Sequence, residues 1–178
     1  MIVKNYILTV LLIVFGIYIL QPLEAESIKI PDSAIRLRVV PNSNSKRDQE
    51  VKLKVKTELE NTTYELLDGV TSINTARNII TDNLSNIEAN LKEILIKEHY
   101  NLDFKINFGQ NYFPEKEFKG ITYEAGNYES LVVTLGKGEG DNWWCVLFPP
   151  LCLLEAEESE TDEVEYKFFV QELIEKYF

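Results

Sequence analysis

The stretch IRLRVVPNSNSKRDQEVKLKVKTEL (residues 35–59) decides the fold, because its hydrophobic period changes from two residues to three or four. In its first six residues, apolar side chains alternate with Arg36 and Arg38. The alternation predicts a β-strand with one buried side and one wet side that carries both arginines. The whole stretch therefore predicts a strand that leads through a turn into an amphipathic helix.

Two helices are predicted after this strand. The turn residues 41–45 offer a helix N-cap at Asn44 or Ser45, and Asp68-Gly69 ends the first helix. The second helix is expected to run from residue 71 or 72 to about residue 98, so that a short turn joins the two into an antiparallel pair. Residues at spacings of three and four mark the buried faces: Val51, Val55, Leu59, Thr62 and Leu66, then Ile73, Ala76, Ile80, Leu84, Ile87, Leu91 and either Ile94 or Leu95.

Strands are predicted again in the second half of the chain. Residues 102–108 alternate like the first strand, and residues 130–135 and 143–148 form two further runs of strand-forming residues. The glycine-rich loop 136–142 is expected to join the last two strands as a hairpin.

The other segments complete a prediction of fold class. Residues 109–128 are expected to form a long, turn-rich connection. Residues 164–178 are expected to form an amphipathic helix, or an exposed helix that binds in a groove. Three aromatic residues are expected to plug the connection into the core: Tyr112, Phe113 and Phe118. The order predicts a single α+β domain over residues 30–178, with two layers. Two long antiparallel helices and a C-terminal helix would cover one face of a mostly antiparallel sheet of about four strands, whose order the sequence does not reveal.

Residues 142–152, NWWCVLFPPLC, form an unusually apolar run in an acidic chain. As a strand, the run has two apolar faces, which carry Trp143, Cys145 and Leu147 on one side and Trp144, Val146 and Phe148 on the other. The second face would be an exposed patch unless the long connection or the C-terminal helix covers it. The alternatives are a covered core position, a partner-binding hot spot and contact with lipid headgroups.

Cys145 and Cys152 lie seven residues apart, with Pro149-Pro150 between them. In an exported domain they could form a small disulfide, and free buried thiols are the alternative. Redox catalysis is disfavoured because the spacing is not Cys-x-x-Cys. A metal site is disfavoured because His99 is the only histidine and could not complete four ligands.

The first residues of the chain predict a targeting segment. Residues 6–20 carry no charge, Lys4 precedes them, and Glu24 and Glu26 follow. The run is short for a membrane span of about 20 residues and is typical of a signal peptide. Residues 1–25 are therefore expected to be either a cleaved signal peptide or an uncleaved anchor, with the rest of the chain outside the cytoplasm.

Charge and motifs exclude several classes of protein. The net charge of −11 argues against nucleic-acid binding, because phosphate contacts need a basic surface. Seven basic residues lie within residues 36–56 and seven acidic ones within 155–165, either as solvated segments or as surfaces that meet each other or a charged partner. His99 has no nucleophile nearby, and the GKGEG loop lacks the Lys-Ser/Thr end of a phosphate-binding loop. No catalytic residue, metal or cofactor is predicted.

Two blocks of the sequence resemble the stage II sporulation protein R family. They are residues 35–59 and YEAGNYESLVVTLGKGEGDNWWCVLFPPLC (residues 123–152). The spacing between the blocks, the N-terminal apolar run and the tail VEYKFFVQELIEK also fit, so the resemblance covers nearly all of the chain after the apolar run. Asn44 stands near the middle of a turn where the family pattern leads us to expect aspartate; asparagine keeps the turn and loses a charge.

The resemblance implies a signalling protein of endospore-forming bacteria. Such a protein is made in the forespore and exported across its inner membrane into the space between the two cells. There it activates a membrane-embedded aspartic protease of the mother cell, which removes the pro-sequence of the sigma-E factor. The implied partners are the extracytoplasmic part of that protease and the export machinery, with neither nucleic acid nor a small-molecule substrate.

Residues 142–152 are expected either to contact the receptor or to hold the fold of the contact loop, with the first-strand arginines and the acidic segment 155–165 as secondary contacts. The partner-binding residues of this hypothesis are Asn142, Trp143, Trp144, Phe148, Pro149, Pro150, Arg36 and Arg38. Replacing Trp144 with alanine is expected to abolish sigma-factor processing while the protein stays folded. The rival interpretations are a small secreted cell-envelope hydrolase and a structural envelope domain.

Overall fold

A computed structural model describes residues 31, 33–118, 121–152 and 163–177, with the backbone alone for residues 163–167. The predicted signal peptide or anchor and most of the acidic segment lie outside the described residues. Within the described part of the chain, no helix has the length and apolar character that a membrane span requires.

The helices and strands follow one another along the chain as β1 (Ile35–Val40), α1 (Lys46–Leu67), α2 (Ile73–Lys97), β2 (Phe104–Phe113), β3 (Lys116–Phe118), β4 (Ile121–Tyr123), β5 (Gly126–Leu135), β6 (Trp143–Phe148) and α3 (Glu163–Tyr177). The predicted strand bounds of β1 and β6 are confirmed. Ser45 is the N-cap of α1, and its side chain accepts a hydrogen bond from the backbone N–H of Asp48. Gly69 ends this helix with a φ of 69°, a conformation that glycine adopts without steric cost.

Four strands form the main sheet in the order β2-β5-β1-β6. β1 runs parallel to β5 and antiparallel to β6, and β2 runs antiparallel to β5. The predicted α+β class with a mostly antiparallel four-stranded sheet is confirmed. The predicted β5–β6 hairpin is wrong, because β1 lies between these strands and pairs Leu37 with Leu131 on one side and with Cys145 on the other.

The β5–β6 loop instead crosses the end of β1 and is bound to the turn that follows it. Four backbone N–H groups of the loop donate to this turn: Lys137 to Asn42 Oδ1, Glu139 to Asn42 O, Gly140 to Pro41 O and Asp141 to Asn44 Oδ1, at 3.0, 3.1, 3.1 and 2.6 Å. A Cβ at Gly140 would overlap the backbone carbonyl of Ser43, so the close crossing requires glycine. These bonds fix the start of β6 against the start of α1.

The predicted connection over residues 109–128 is also wrong, because most of it is β-structure. β2 and β5 pair continuously from Phe104 opposite Leu135 to Phe113 opposite Gly126. β3 and β4 then form a separate two-stranded sheet. Of the predicted aromatic plugs, Phe113 is fully buried and Phe118 is partly buried, whereas Tyr112 is 61% exposed.

The first face of the sheet packs on α1 and α2. Its core joins alternate residues of β1, β5 and β6 to the predicted helix stripes, including Val51, Val55, Leu59, Ile80 and Leu91. Burial of this apolar surface is the main term that stabilises the two-layer arrangement.

The second face is not the wet surface that the sequence predicts. It carries a separate apolar cluster of Ala34, Phe113, Ile121, Tyr123, Tyr128, Trp144, Val146, Leu151 and Val170. The short β3–β4 sheet and α3 contribute Ile121, Tyr123 and Val170 to it, so they cover this face. The C-terminal helix therefore does not simply join α1 and α2 on one face, as predicted.

Candidate functional site

The candidate site is the start of β6, where two consecutive tryptophans point to opposite faces of the sheet. Trp143 lies on the helix side, where it is partly exposed, and the Nζ of Lys56 is 4.9 Å from its ring centroid. Trp144 lies on the other side and is 6% exposed. Of the two, Trp143 is the residue that a partner can reach.

Trp144 is covered by aromatic rings from β2 and β4. Tyr123 of β4 and Phe113 of β2 meet it edge-on, with ring centroids 5.0 and 5.6 Å away. Such edge-to-face pairs add about 0.5–1.5 kcal/mol each to the burial of area. Of the alternatives open for this face, the covered core position is therefore the correct one for Trp144.

Arg36 corrects the prediction of a wet strand face most directly, since it is only 1% exposed. Its guanidinium carbon lies 3.3 Å from the ring centroid of Tyr128, 5.0 Å from that of Trp144 and 5.1 Å from that of Phe113. Cation–π attraction in such a box partly replaces the lost hydration of the charge. Arg36 is therefore part of the interior that supports the site.

Arg38, two residues further along β1, reaches the surface of the site. Its Nη1 donates to the carbonyl of Tyr112 at 3.1 Å. With the Asn142 amide oriented to accept, Arg38 Nη2 lies 2.7 Å from the amide oxygen. Arg38 and Asn142, predicted as partner-binding residues, are thus brought together directly before Trp143.

A cleft of about 220 Å³ opens at this end of β6. It is lined by Lys56, Lys116, Phe118, Tyr123, Trp143 and Trp144. Its residues come from both faces of the sheet, with Lys56 on α1 and Lys116 on β3. The cleft therefore combines aromatic walls with two cations, an arrangement suited to binding an anionic group on an apolar stem.

The far end of β6 is built differently. A disulfide joins Cys145 to Cys152, with 5.3 Å between their Cα atoms. Phe148 is 2% exposed and meets the ring of Tyr177 edge-on at 5.2 Å. Pro149 is buried and Pro150 is partly exposed. This segment of the predicted binding block is mainly interior.

A second cavity of about 220 Å³ adjoins the disulfide, between α1 and the end of α3. Glu60 lines it and is 8% exposed. One oxygen of its carboxylate lies 3.0 Å from Lys56 Nζ, and the other has no hydrogen-bond partner. Burial raises the pKa of Glu60 above its ordinary value, although Lys56 opposes the shift.

The structure thus divides the predicted partner-binding residues into two groups. Arg38, Asn142, Trp143 and Pro150 are at least partly accessible, while Arg36, Trp144, Phe148 and Pro149 are buried. Sequence reasoning missed Lys56, Lys116, Phe118 and Tyr123 as parts of the cleft. The one signal for the cleft in the sequence is Phe118, which is among the expected aromatic plugs. Lys56 and Lys116 look like ordinary solvent-facing residues in the sequence and give no such signal.

Neither a metal-binding cluster nor His99 adds a catalytic group to the cleft in the described part of the chain. Among them, no group of three or more His, Cys, Asp or Glu side chains could hold a metal ion. His99 is exposed, with a φ of 50° directly after α2, where the sequence places it at a helix boundary. Asp48 lies in the first turn of α1, where its negative charge interacts favourably with the helix dipole. Its pKa is lowered mainly by a hydrogen bond from Ser43 Oγ at 2.5 Å.

Fold and site together define a small, disulfide-linked α+β domain with an aromatic and cationic binding cleft. The family model of stage II sporulation protein R matches residues 31–158, and the chain belongs to this family. It is 41% identical over 140 residues to stage II sporulation protein R of Bacillus subtilis (strain 168).

That alignment covers 79% of this chain and 62% of the relative, so the chain spans less than two thirds of the relative's length. No solved structure matches the chain. The family resemblance seen in the two sequence blocks is confirmed, and membership of this family supports a function in sporulation.

Proposed function

We propose that this protein is an exported sporulation signal. It leaves the forespore and docks on the extracytoplasmic part of a membrane-embedded aspartic protease of the mother cell. The docked protease then processes the pro-sigma-E factor. Membership of the stage II sporulation protein R family supports this role, because it is the role that resemblance to this family implies.

The observation that carries the docking step is the surface at the start of β6. Trp143 is partly exposed beside the Arg38–Asn142 pair, and Lys56 holds its ring in place. Tryptophan and arginine are enriched among the few interface residues that supply most of the binding energy. The accessible residues of the predicted binding block and the adjacent Arg38 are thus of the types that supply binding energy at protein interfaces.

Activation requires that the protein binds the active state of the protease better than the inactive one. Moving a two-state equilibrium from 1:99 to 99:1 takes a difference of about 5.5 kcal/mol. A single hot-spot residue contributes about 2–4 kcal/mol, so Trp143 alone is not sufficient. Arg38, Asn142 and the adjoining cleft are the residues that would supply the rest.

Trp143→Ala tests this proposal in sporulating cells. We expect the rate of sigma-factor processing, followed by immunoblot, to fall at least tenfold while the amount of the signalling protein is unchanged. Ile96→Ala is the matched control, because Ile96 is a 65% exposed apolar residue on α2 outside the site. Normal processing with Trp143→Ala would exclude this surface as the docking site.

The protein acts as a ligand in this proposal and not as a hydrolase. Purified full-length protein mixed with membranes that contain the protease separates the two roles. Activation should persist when accessible Ser, Asp and Glu residues outside the site are replaced in turn. Loss of activation on replacing one such carboxylate or hydroxyl would favour the rival envelope hydrolase.

A further inference from the structure

Two lysines line the cleft at the start of β6. Lys56 Nζ lies 4.9 Å from the ring centroid of Trp143, and Lys116 Nζ lies 5.1 Å from that of Trp144. The tryptophans belong to opposite faces of one strand, so the lysines approach its edge from opposite sides. The positive charges therefore converge on a space with aromatic walls.

The two lysines differ in how their charges are compensated. Lys56 pairs with Glu60 at 3.0 Å. Lys116 contacts the rings of Phe118 and Trp144, and among the described residues it forms no ion pair. Within the described part of the chain, Lys116 is thus the cleft cation that has no carboxylate partner.

Neighbouring charges strengthen the positive field. Lys52 donates from Nζ to the carbonyl of Asp141 at 3.0 Å. Burial lowers the pKa of Lys52 most; the Asp141 carboxylate raises it and offsets part of the positive charge, and Lys116 lies near enough to lower it further. Such a cationic cluster contrasts with the chain's net charge of −11. An acidic partner is repelled by most of this acidic molecule and attracted to the cationic cluster, so charge directs such a partner to the cleft.

The volume of the cleft indicates what kind of group it accepts. At about 220 Å³ it is smaller than the roughly 300–1,000 Å³ of pockets that hold drug-sized ligands. A side chain with its flanking peptide groups suits this space better than a small molecule. Aromatic walls also contact the aliphatic part of such a side chain and keep water from the ion pair.

We propose that this cleft binds the carboxylate of a Glu or Asp residue in an extended acidic segment of a partner protein, with Lys116 as its cation. Charge complementarity selects this occupant. The identity of the partner as the sigma-E-processing protease rests on the proposed function, but the chemistry of the cleft does not. Lys116 is a specificity-determining residue in this scheme, and Lys56 orients Trp143.

The intrinsic fluorescence of the protein reports directly on the cleft, because Trp143 and Trp144 are the only two tryptophans of the chain and both line it. The probe is the capped peptide Gly-Leu-Glu-Leu-Gly, titrated into the full-length protein at low salt up to millimolar concentration. The same peptide with Gln in place of Glu is its neutral counterpart.

We expect a saturable change in emission with the Glu peptide and at least tenfold weaker binding of the Gln peptide. Lys116→Gln should abolish this tenfold preference. Lys105→Gln should preserve it, because Lys105 is exposed on β2, the opposite edge strand of the sheet. Equal binding of the two peptides, no saturable change, or an unchanged preference in Lys116→Gln would overturn the proposal.

The competing occupant of the cleft is the chain's own acidic segment. A further variant tests it by replacing the seven acidic residues of 155–165 with their amides. If the Glu peptide binds only to this variant, the chain's own acidic segment fills the cleft and the partner proposal is wrong. Equal binding to both proteins supports the proposal.

Processing assays separate this inference from the proposed function. If the peptide shows no preference for Glu while Trp143→Ala still blocks processing, the cleft inference fails and the docking surface stands. If the preference is found but neither Trp143→Ala nor Lys116→Gln alters processing, the cleft stands and the proposed docking of this surface on the protease fails.

Discussion

At the scale of single residues, two adjacent tryptophans have different environments and therefore different roles. Trp144 is enclosed by Tyr123, Phe113 and Arg36, whereas Trp143 keeps part of its ring at the surface beside Lys56. The former stabilises the fold and the latter is available for recognition. A loss of function on replacing Trp144 would therefore reflect loss of folded protein.

Trp144→Ala is expected to lower the free energy of unfolding by about 3–5 kcal/mol, because it removes a buried ring and leaves a cavity among aromatic neighbours. Trp143→Ala should cost less than half as much, since part of its ring already contacts water. Urea unfolding followed by circular dichroism measures both changes. Equal losses for the two variants would contradict the different burial of the two rings.

At the scale of the elements, the disulfide ties β6 to the segment that leaves it. Cys145 and Cys152 are both buried and lie seven residues apart. The bond closes a small loop that contains Phe148 and both prolines, so it holds this end of β6 beside α1 and α3. The proposed docking surface lies at the other end of the strand, away from this bond.

Replacing both cysteines with alanine is expected to destabilise the protein by about 2–3 kcal/mol, the loop-closure value for a ring of about eight residues. Wild-type protein unfolded in the presence of reductant provides the matched control and should show the same loss. The Trp143 surface should still support processing in protein that remains folded. A double variant as stable as the oxidised wild type would show that packing alone holds the loop.

The sequence predicts helices and strands well where a single spacing of apolar residues dominates a segment. The stripes of α1 and α2 and the bounds of β1 and β6 are confirmed because each reflects a local pattern of burial. The hairpin prediction fails because a glycine-rich loop suits either a tight turn or a crossing over β1. Loop chemistry alone does not tell these two connections apart.

The same limit applies to the candidate site. Alternation with Arg36 indicates a wet face only if no other element covers it, and the rings that enclose Arg36 come from β2, β5 and β6. Lys116 likewise enters the cleft through the fold of β3 and not through a local motif. The predicted block contributes Trp143 and Trp144 to the cleft, whereas which of its residues are accessible is evident only in three dimensions.

At the scale of the whole molecule, acidic groups dominate and two of them respond to pH in opposite directions. Burial raises the pKa of Glu60, so its charged form destabilises the fold, and stability rises as the pH falls through that raised pKa to the ordinary carboxyl value. Hydrogen bonds lower the pKa of Asp48, so its contribution is lost only when the pH falls below the ordinary carboxyl value of about 3.9. Relief of the repulsion within a chain of net charge −11 acts in the same direction as Glu60.

We therefore expect stability to increase from pH 7 to a maximum near pH 4–5 and to decrease below it. Glu60→Gln should reduce the rise, while Glu65→Gln, an exposed carboxylate on the same helix, should leave most of it. Asp48→Asn should reduce the acid-side loss. Urea midpoints measured from pH 3 to pH 8 provide the comparison, and an equal effect of the Glu60 and Glu65 variants would contradict this assignment.

The central position of β1 determines the order in which this molecule can assemble. Both of its partners, residues 130–134 and β6, lie roughly a hundred residues later in the chain, so the middle of the sheet consists of long-range contacts that form slowly. The helical pair can form from local contacts as soon as it leaves the ribosome or a translocation channel, but β1 must wait for the last third of the chain. A chain interrupted before residue 126 would present β1 with neither partner, as an unpaired apolar strand open to aggregation.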